Sequence, residues 1–186
     1  MRIPVLWLAI SAVLAISATA QRVLHVPSQY ATISAAIAAA GTGDIVLVAP
    51  GRYVENNLRF GGKAITVRSS HGPHTTIVDG RSTTSPNSVF LFAASETRRS
   101  ILEGFTITNG FNLRGGGIYC VGSPTIRGNL VVANKGADGG GGIYVRGAPR
   151  IENNVVSGNG TDCTHCGNGI WIEDGGGTEL VGNVIH

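Results

Sequence analysis

Acidic and basic side chains that could do acid–base chemistry gather in the last third of the sequence. They are Asp138, Arg146, Asp162, His165, Glu173 and Asp174. Carboxylates can transfer protons, and an arginine can hold a sugar carboxylate through paired hydrogen bonds. Each of these groups lies in or beside a glycine-rich turn, where isolated surface charges are more often solvated than catalytic. We therefore assign no catalytic residue from the sequence.

Three aromatic residues occupy the same place after a glycine-rich run, in "GGGIYC", "GGGIYV" and "GNGIWI". If these runs are strands, the alternation of side chains places the isoleucines inside and the rings of Tyr119, Tyr144 and Trp171 outside. Flat rings can pack against sugar rings, and their polar tips can form hydrogen bonds. With Arg146 and Glu173 on the same outer face, these residues are our predicted substrate-binding set. The alternative is that the rings stack on one another, or lie under a long loop, and stabilise the sheet.

Two of the three cysteines form the motif Cys163-Thr164-His165-Cys166. The motif looks like half of a structural zinc site, but such a site needs four ligands and the sequence holds no second pair. We predict a local Cys163–Cys166 disulfide, with two free thiols and a metal site as the alternatives, and we assign no metal. Cys120 is expected to be a small buried apolar residue.

The elements that position these groups follow from an internal repeat of about 25 residues. The stretch from 115 to 136 is largely written again from 140 to 160, with three glycines, a short apolar run, a proline and asparagines. Each period holds three apolar stretches that are too short for a helix and alternate with period two. This pattern predicts an all-β fold, a right-handed parallel β-helix (solenoid) of about five coils in which like positions stack.

The repeat also predicts which residues lie over one another. The expected matches are Ile118, Ile143 and Ile170; Asn129, Asn154 and Asn183; Asn109, Asn134 and Asn159; and Ile101, Phe105 and Ile107 with Ile126, Leu130 and Val132. Stacked asparagines can bond to one another along the axis. Earlier in the chain, we expect "DIVLVAPGRY", "AITVRS" and "TIVDG" to form one coil, and "SVFLF", "SILEG" and "FTITNG" the next.

Both ends of the sequence carry their own predictions. Residues 1–20 have a positive Arg2, an apolar run and the cleavage signal Ala18-Thr19-Ala20, which predicts a secretory signal peptide and a secreted or cell-surface protein. The β-helix domain then covers residues 21–186, and "ATISAAIAAAG" predicts a short helix that caps the stack and ends at Gly41. At "VGNVIH" we expect a truncated chain with an open strand edge; the alternative is that self-association shields this edge.

The charge and hydropathy of the sequence limit the kinds of molecule that this protein is expected to bind. With 14 basic and 11 acidic residues, the formal net charge of +3 is too small to predict nucleic-acid binding. The apolar run near the N-terminus is shorter than the ~18 residues that a membrane span needs, and no later segment could span a bilayer once the signal is removed. A polysaccharide is the partner that the outward rings favour.

The arrangement resembles secreted right-handed parallel β-helix proteins of the pectin lyase-like superfamily. The resemblance lies in "YATISAAIAAAGTGDIVLVAPGRYVEN", "KAITVRSSHGPHTTIVDG", "LEGFTITNG" and the two "GGGIY" repeats, and it covers nearly all of residues 21–186. It implies glycan binding on the outer face of one sheet. The superfamily includes polysaccharide lyases, methylesterases and polygalacturonases, but the acid clusters of those enzymes are not recognisable here. Calcium is implied by the resemblance alone, and we identify no cofactor.

Two functions compete on this evidence. The first is a secreted β-helix that binds an extended polysaccharide on its outer sheet face, with pectate-lyase-like cleavage or hydrolysis as its enzymatic form. The second is a non-catalytic surface, adhesin or structural module, which the regular repeat and the missing catalytic set favour. The sequence leaves open whether the protein is an enzyme.

Overall fold

The structure is a computed structural model that describes residues 20–81, 87–174 and 176–186. The predicted signal peptide, apart from Ala20, lies outside the described residues. In chain order the elements are β1 (Val23–Val26), α1 (Ile33–Ala39), β2 (Ile45–Val48), β3 (Gly51–Val54), β4 (Leu58–Arg59), β5 (Thr66–Ser69), β6 (Thr76–Asp79), β7 (Phe90–Phe92), β8 (Ile101–Glu103), β9 (Thr106–Thr108), β10 (Phe111–Asn112), β11 (Ile118–Cys120), β12 (Thr125–Arg127), β13 (Leu130–Val132), β14 (Lys135–Gly136), β15 (Ile143–Val145), β16 (Arg150–Glu152), β17 (Val155–Ser157), β18 (Gly160–Thr161), β19 (Ile170–Ile172), β20 (Glu179–Val181) and β21 (Val184–Ile185).

These short strands form four parallel sheets that run along one axis. Sheet A has the order β1-β2-β5-β8-β12-β16-β20, and sheet B has the order β3-β6-β9-β13-β17-β21. Sheet C has the order β4-β7-β11-β15-β19, and sheet D has the order β10-β14-β18. Because successive strands of the chain go to different sheets and return about one period later, the backbone is a β-solenoid of about six coils. The predicted fold class is confirmed, with one coil more than predicted.

Equivalent side chains stack in the interior, as the repeat predicts. Ile118 pairs with Ile143, which pairs with Ile170 on the next coil. The first two are fully buried in a continuous apolar core, and Ile170 packs against it. The aliphatic residues of each coil therefore lie on those of the next, and this burial is the main stabilising contribution to the fold.

The helix at the N-terminal end forms as predicted but stops two residues earlier. The Thr32 hydroxyl accepts a hydrogen bond from the backbone N–H of Ala35 at 3.1 Å and so caps the helix start. Ile33, Ala36 and Ile37 are buried against the strands. The backbone of Ala40 is extended, so α1 ends at Ala39, before Gly41, and Lys63 donates to the carbonyl oxygens of Ile37 and Ala40 at this helix end.

The early coils are divided differently from the prediction. Strands β2 and β5 pair directly, with Ile45 opposite Thr66, so "DIVLV" and "AITVRS" belong to neighbouring coils. The prediction that they share a coil is wrong, because the intervening "GRYV" and "LR" segments each supply a strand. Splitting this region between two coils accounts for the additional coil.

The predicted match between the coil at residue 101 and the next is wrong by one residue. Leu102, and not Ile101, lies opposite Ile126. The matches predicted for Phe105 and Ile107 are shifted in the same way, since Thr106 and Thr108 lie opposite Leu130 and Val132. Here the coil-to-coil spacing is 24 residues, and it becomes 25 only from Ile126 to Ile151. The one-residue shift reverses the side-chain direction, and it explains why Leu102 is buried while Ile101 is only half-buried.

Asparagine ladders run beside two of the turns. In one, Asn129 donates its backbone and side-chain N–H groups to Asn154 Oδ1, and Asn154 donates in the same way to Asn183 Oδ1. In the other, Asn134 donates to Asn159 Oδ1. The predicted third member, Asn109, does not stack here, because Gly110 donates its backbone N–H to Asn134 Oδ1 instead.

Candidate functional site

The outer face of sheet C carries the predicted aromatic residues in one straight row. Backbone pairing aligns the five residues Arg59, Leu91, Tyr119, Tyr144 and Trp171 on successive strands. With neighbouring strands ~4.8 Å apart, this row is about 19 Å long. The row is thus an elongated surface feature that runs parallel to the solenoid axis.

The three rings are unequally accessible. Tyr119 and Tyr144 stack with ring centroids 5.1 Å apart and planes inclined by 17°. Tyr144 is not part of the packed interior cluster but is only 1% exposed, whereas Tyr119 and Trp171 are half-buried. The rings do project outward, yet the expectation of three rings available to a ligand is corrected to two, because the middle ring is covered.

Arg114 covers Tyr144, and sequence analysis did not identify it. Its guanidinium carbon lies 5.4 Å from the ring centroid of Tyr144, and its Nη1 donates to the Tyr144 hydroxyl oxygen at 3.1 Å. The Tyr144 hydroxyl in turn donates to Glu173. The only sequence signal is position: Arg114 directly precedes the first glycine of the "GGG" run that leads into β11.

Arg114 also binds two of the predicted acids. Its guanidinium pairs with Glu173 at 3.2 Å and with Asp138 at 3.3 Å. The hydrogen bond to Tyr144 raises the pKa of Arg114, so the guanidinium keeps its charge. Burial, with the hydrogen bond to Glu173, raises the pKa of Tyr144, so its hydroxyl stays neutral and able to donate.

The remaining predicted groups have separate partners. Arg146 lies 3.9 Å from Asp174 in a loose, exposed ion pair. Asp162 pairs with Lys135 at 2.9 Å beside sheet D. His165 is exposed and its Nδ1 lies 2.9 Å from the hydroxyl oxygen of Thr164. Among the described residues, the acids are therefore divided over several ion pairs, with two of them on Arg114.

The structure holds a disulfide between Cys163 and Cys166, whose Cα atoms are 5.4 Å apart. The sulfur atoms and a carboxylate oxygen of Asp138 lie within 4.8 Å of one another, but sulfurs bonded to each other cannot act as thiolate ligands for a metal. The disulfide loop borders the aromatic row: an added Cβ on Gly139 would lie 3.6 Å from the Trp171 ring and 3.8 Å from Cys166. Cys120 is buried in the core, and burial raises the pKa of its thiol.

The other end of the row meets the N-terminal cap. A cleft of about 310 Å³ lies between α1 and β4, and Arg59, Asn57 and Lys63 are among its lining residues. Lys63 is occupied by the carbonyls of the helix end, and Arg59 donates to Asn57 Oδ1 at 2.9 Å. The face therefore has an aromatic end at β19 and a basic end at β4.

Comparison with known proteins supports the architecture. The family model described as "right handed beta helix region" matches residues 25–185, which is most of the chain. The chain belongs to the right-handed β-helix family. This result agrees with the predicted resemblance to the pectin lyase-like superfamily, whose fold is of this type. Searches of curated proteins and of solved structures gave no significant match.

Membership of the right-handed β-helix family explains how the site residues are placed. Five successive coils of this β-helix each supply one position of the row on sheet C. Within the part of the chain that the structure describes, no helix is long and apolar enough to cross a membrane. The outer face of sheet C is the candidate functional site.

Proposed function

We propose that this β-helix binds an extended polysaccharide along the outer face of sheet C. The observation that carries the proposal is the placement of two half-exposed rings, Tyr119 and Trp171, on alternate strands of one face. They are about 10 Å apart along the axis, with covered Tyr144 between them. Two rings at this spacing can each pack against a separate sugar unit of one linear chain.

The geometry supports binding without cleavage. A general acid or base must reach a substrate proton, and its other interactions must leave it free to exchange that proton. Glu173 accepts hydrogen bonds from both Arg114 and the Tyr144 hydroxyl, and Asp138 accepts from Arg114. Both carboxylates are thus used to hold Arg114 over Tyr144.

The compartment is part of the proposal. We infer a secreted or cell-surface protein, and two features support it. Residues 1–20 carry the signal-peptide pattern, and the Cys163–Cys166 disulfide is of a kind that persists mainly in oxidising compartments. An extracellular location would bring the protein into contact with polysaccharides.

A structural module is the second candidate, and the burial of Tyr144 favours it. Stacked rings on neighbouring strands stabilise a sheet, and a ring that is 1% exposed contributes nothing to ligand contact in this conformation. On this alternative the row would stiffen a spacer or adhesin. The two candidates differ in what happens when the half-exposed rings are removed.

The test compares Tyr119→Ala and Trp171→Ala with the wild type on an array of plant, algal, bacterial and animal glycans, followed by calorimetry on the hits. Each substitution should weaken glycan binding about threefold to tenfold, the contribution of one aromatic contact. Phe111→Ala, which removes an exposed ring on sheet D, is the matched control and should bind normally. Absence of glycan binding by the wild type, together with a lower unfolding temperature in Trp171→Ala, would favour the structural module instead.

A further inference from the structure

The charges around the aromatic end of sheet C are arranged unfavourably for an acidic ligand. Five charged side chains border the rings of Tyr144 and Trp171: Arg114, Asp138, Arg146, Glu173 and Asp174. Carboxylates therefore outnumber guanidinium groups here by one. Each guanidinium is already paired, Arg114 with two carboxylates and Arg146 with one.

The ion pairs of Arg114 determine how favourably a uronate, a sugar that carries a carboxylate, could bind near the rings. Arg114 lies over the Tyr144 ring, and its three side-chain nitrogens are directed at Tyr144, Glu173 and Asp138. A sugar carboxylate that approached this guanidinium would compete with Glu173 and Asp138 for its N–H groups and would lie close to both carboxylates. Like charges placed together in this way cost binding free energy and select against the wrong partner.

We infer that this face takes an uncharged polysaccharide, and that Glu173 and Asp138 reject uronate-containing chains. This inference rests on the proposed function, because it names the class of glycan bound at the same rings. A neutral sugar needs only ring contact with Tyr119 and Trp171 and brings no charge close to Glu173 and Asp138. It leaves the Arg114 cluster intact.

The basic end of the row does not reverse this preference. Arg59 lies on β4, two strands beyond Tyr119, and thus about 10 Å farther along the axis. That distance exceeds the Debye length of about 8 Å at physiological ionic strength, so its charge is largely screened at the rings. Lys63 is held by the carbonyl oxygens of Ile37 and Ala40.

The experiment measures calorimetric affinities of the wild type for neutral and acidic oligosaccharides of equal length. The neutral probes derive from xylan and glucan, the acidic probes are oligogalacturonides, and each is measured at physiological and high salt, with calcium and with chelator. We expect neutral chains to bind at least about fivefold more tightly at physiological salt, where Arg59 is screened, corresponding to one unfavourable surface charge contact. The difference should shrink at high salt.

Variants test the assigned residues. Glu173→Gln and Asp138→Asn should each raise the ratio of uronate affinity to neutral affinity about fivefold, because each frees part of the Arg114 guanidinium. Asp162→Asn, which removes a carboxylate paired with Lys135 beside sheet D, should leave the ratio unchanged. Uronate binding as tight as neutral binding, with or without calcium, overturns the inference while sustaining the proposed function. If neither neutral nor acidic oligosaccharides bind, both the inference and the proposed function are overturned.

Discussion

Asn154 shows at the scale of one residue how this solenoid satisfies buried polar groups. It is 1% exposed, and its Nδ2 donates to Ile126 O and to Asn183 Oδ1, both at 3.0 Å. Its Oδ1 accepts from the backbone N–H and the side-chain amide of Asn129. One amide therefore joins three coils, and every polar atom of the side chain has a partner.

Replacing Asn154 by alanine should lower the free energy of unfolding by about 2–4 kcal/mol, because several buried donors and acceptors lose their partner. Urea denaturation followed by circular dichroism measures the change. Asn168→Ala is the matched control, since Asn168 is exposed, and its effect should stay within about 0.5 kcal/mol. Equal stability of the two variants would show that the ladder is dispensable.

At the scale of the element, the glycines of a "GGG" run before a strand of sheet C are required for different reasons: one for its backbone torsion, another for close packing of backbone. Gly140 has a φ of +54°, in the left-handed region that a side chain disfavours. Gly141 has no such torsion, but a Cβ added there would lie 2.0 Å from the carbonyl oxygen of Gly160. The loop before β15 can therefore lie this close to the backbone of Gly160 only because residue 141 has no side chain.

Gly141→Ala should destabilise the protein by at least about 2 kcal/mol, because the clash is with backbone that has little freedom to move. Gly160→Ala is an informative control from the same coil: a Cβ there meets nothing within 4 Å, and φ is not positive. Its effect should stay within about 0.5 kcal/mol. The prediction fails if Gly141→Ala unfolds at the wild-type temperature.

The whole molecule is a stack in which each coil contacts mainly its immediate neighbours. Coils in the middle are covered on both sides, and side chains such as Ile126 and Val131 are fully buried. On β20 and β21, Leu180 and Val184 are 45% and 47% exposed. In such a one-dimensional array, local stability follows the number of covering neighbours.

Hydrogen exchange read by mass spectrometry should reflect this gradient. In the chain of residues 21–186, amides of β12 and β13 should exchange more slowly than those of β20 and β21, because β20 and β21 have a covering neighbour on one side only and can open without disrupting the rest. Peptides from all four strands, measured in this chain, provide the internal comparison. Uniform protection along the axis would mean that the stack opens only as a whole.

Much of the architecture was predictable from the sequence, since the determinants are local and repeated. The stacking of Ile118, Ile143 and Ile170 followed from a glycine-rich run before each isoleucine. The predictions failed where that regularity was weak: the early coils lack the glycine motif, and a 24-residue period shifted Leu102 into the place expected for Ile101. A single residue more or less changes which side chain faces the core.

The sequence by itself determined the β-helix, the outward direction of Tyr119, Tyr144 and Trp171, and the helical cap, because strand alternation and helical periodicity act over a few residues. Only the tertiary structure decided that Arg114 lies over Tyr144 and binds Glu173, a residue 59 positions away in the chain. Periodicity specifies where backbone positions stack. The direction of a long side chain on a loop depends on the groups that other coils place around it, and those partners exist only once the chain is wound.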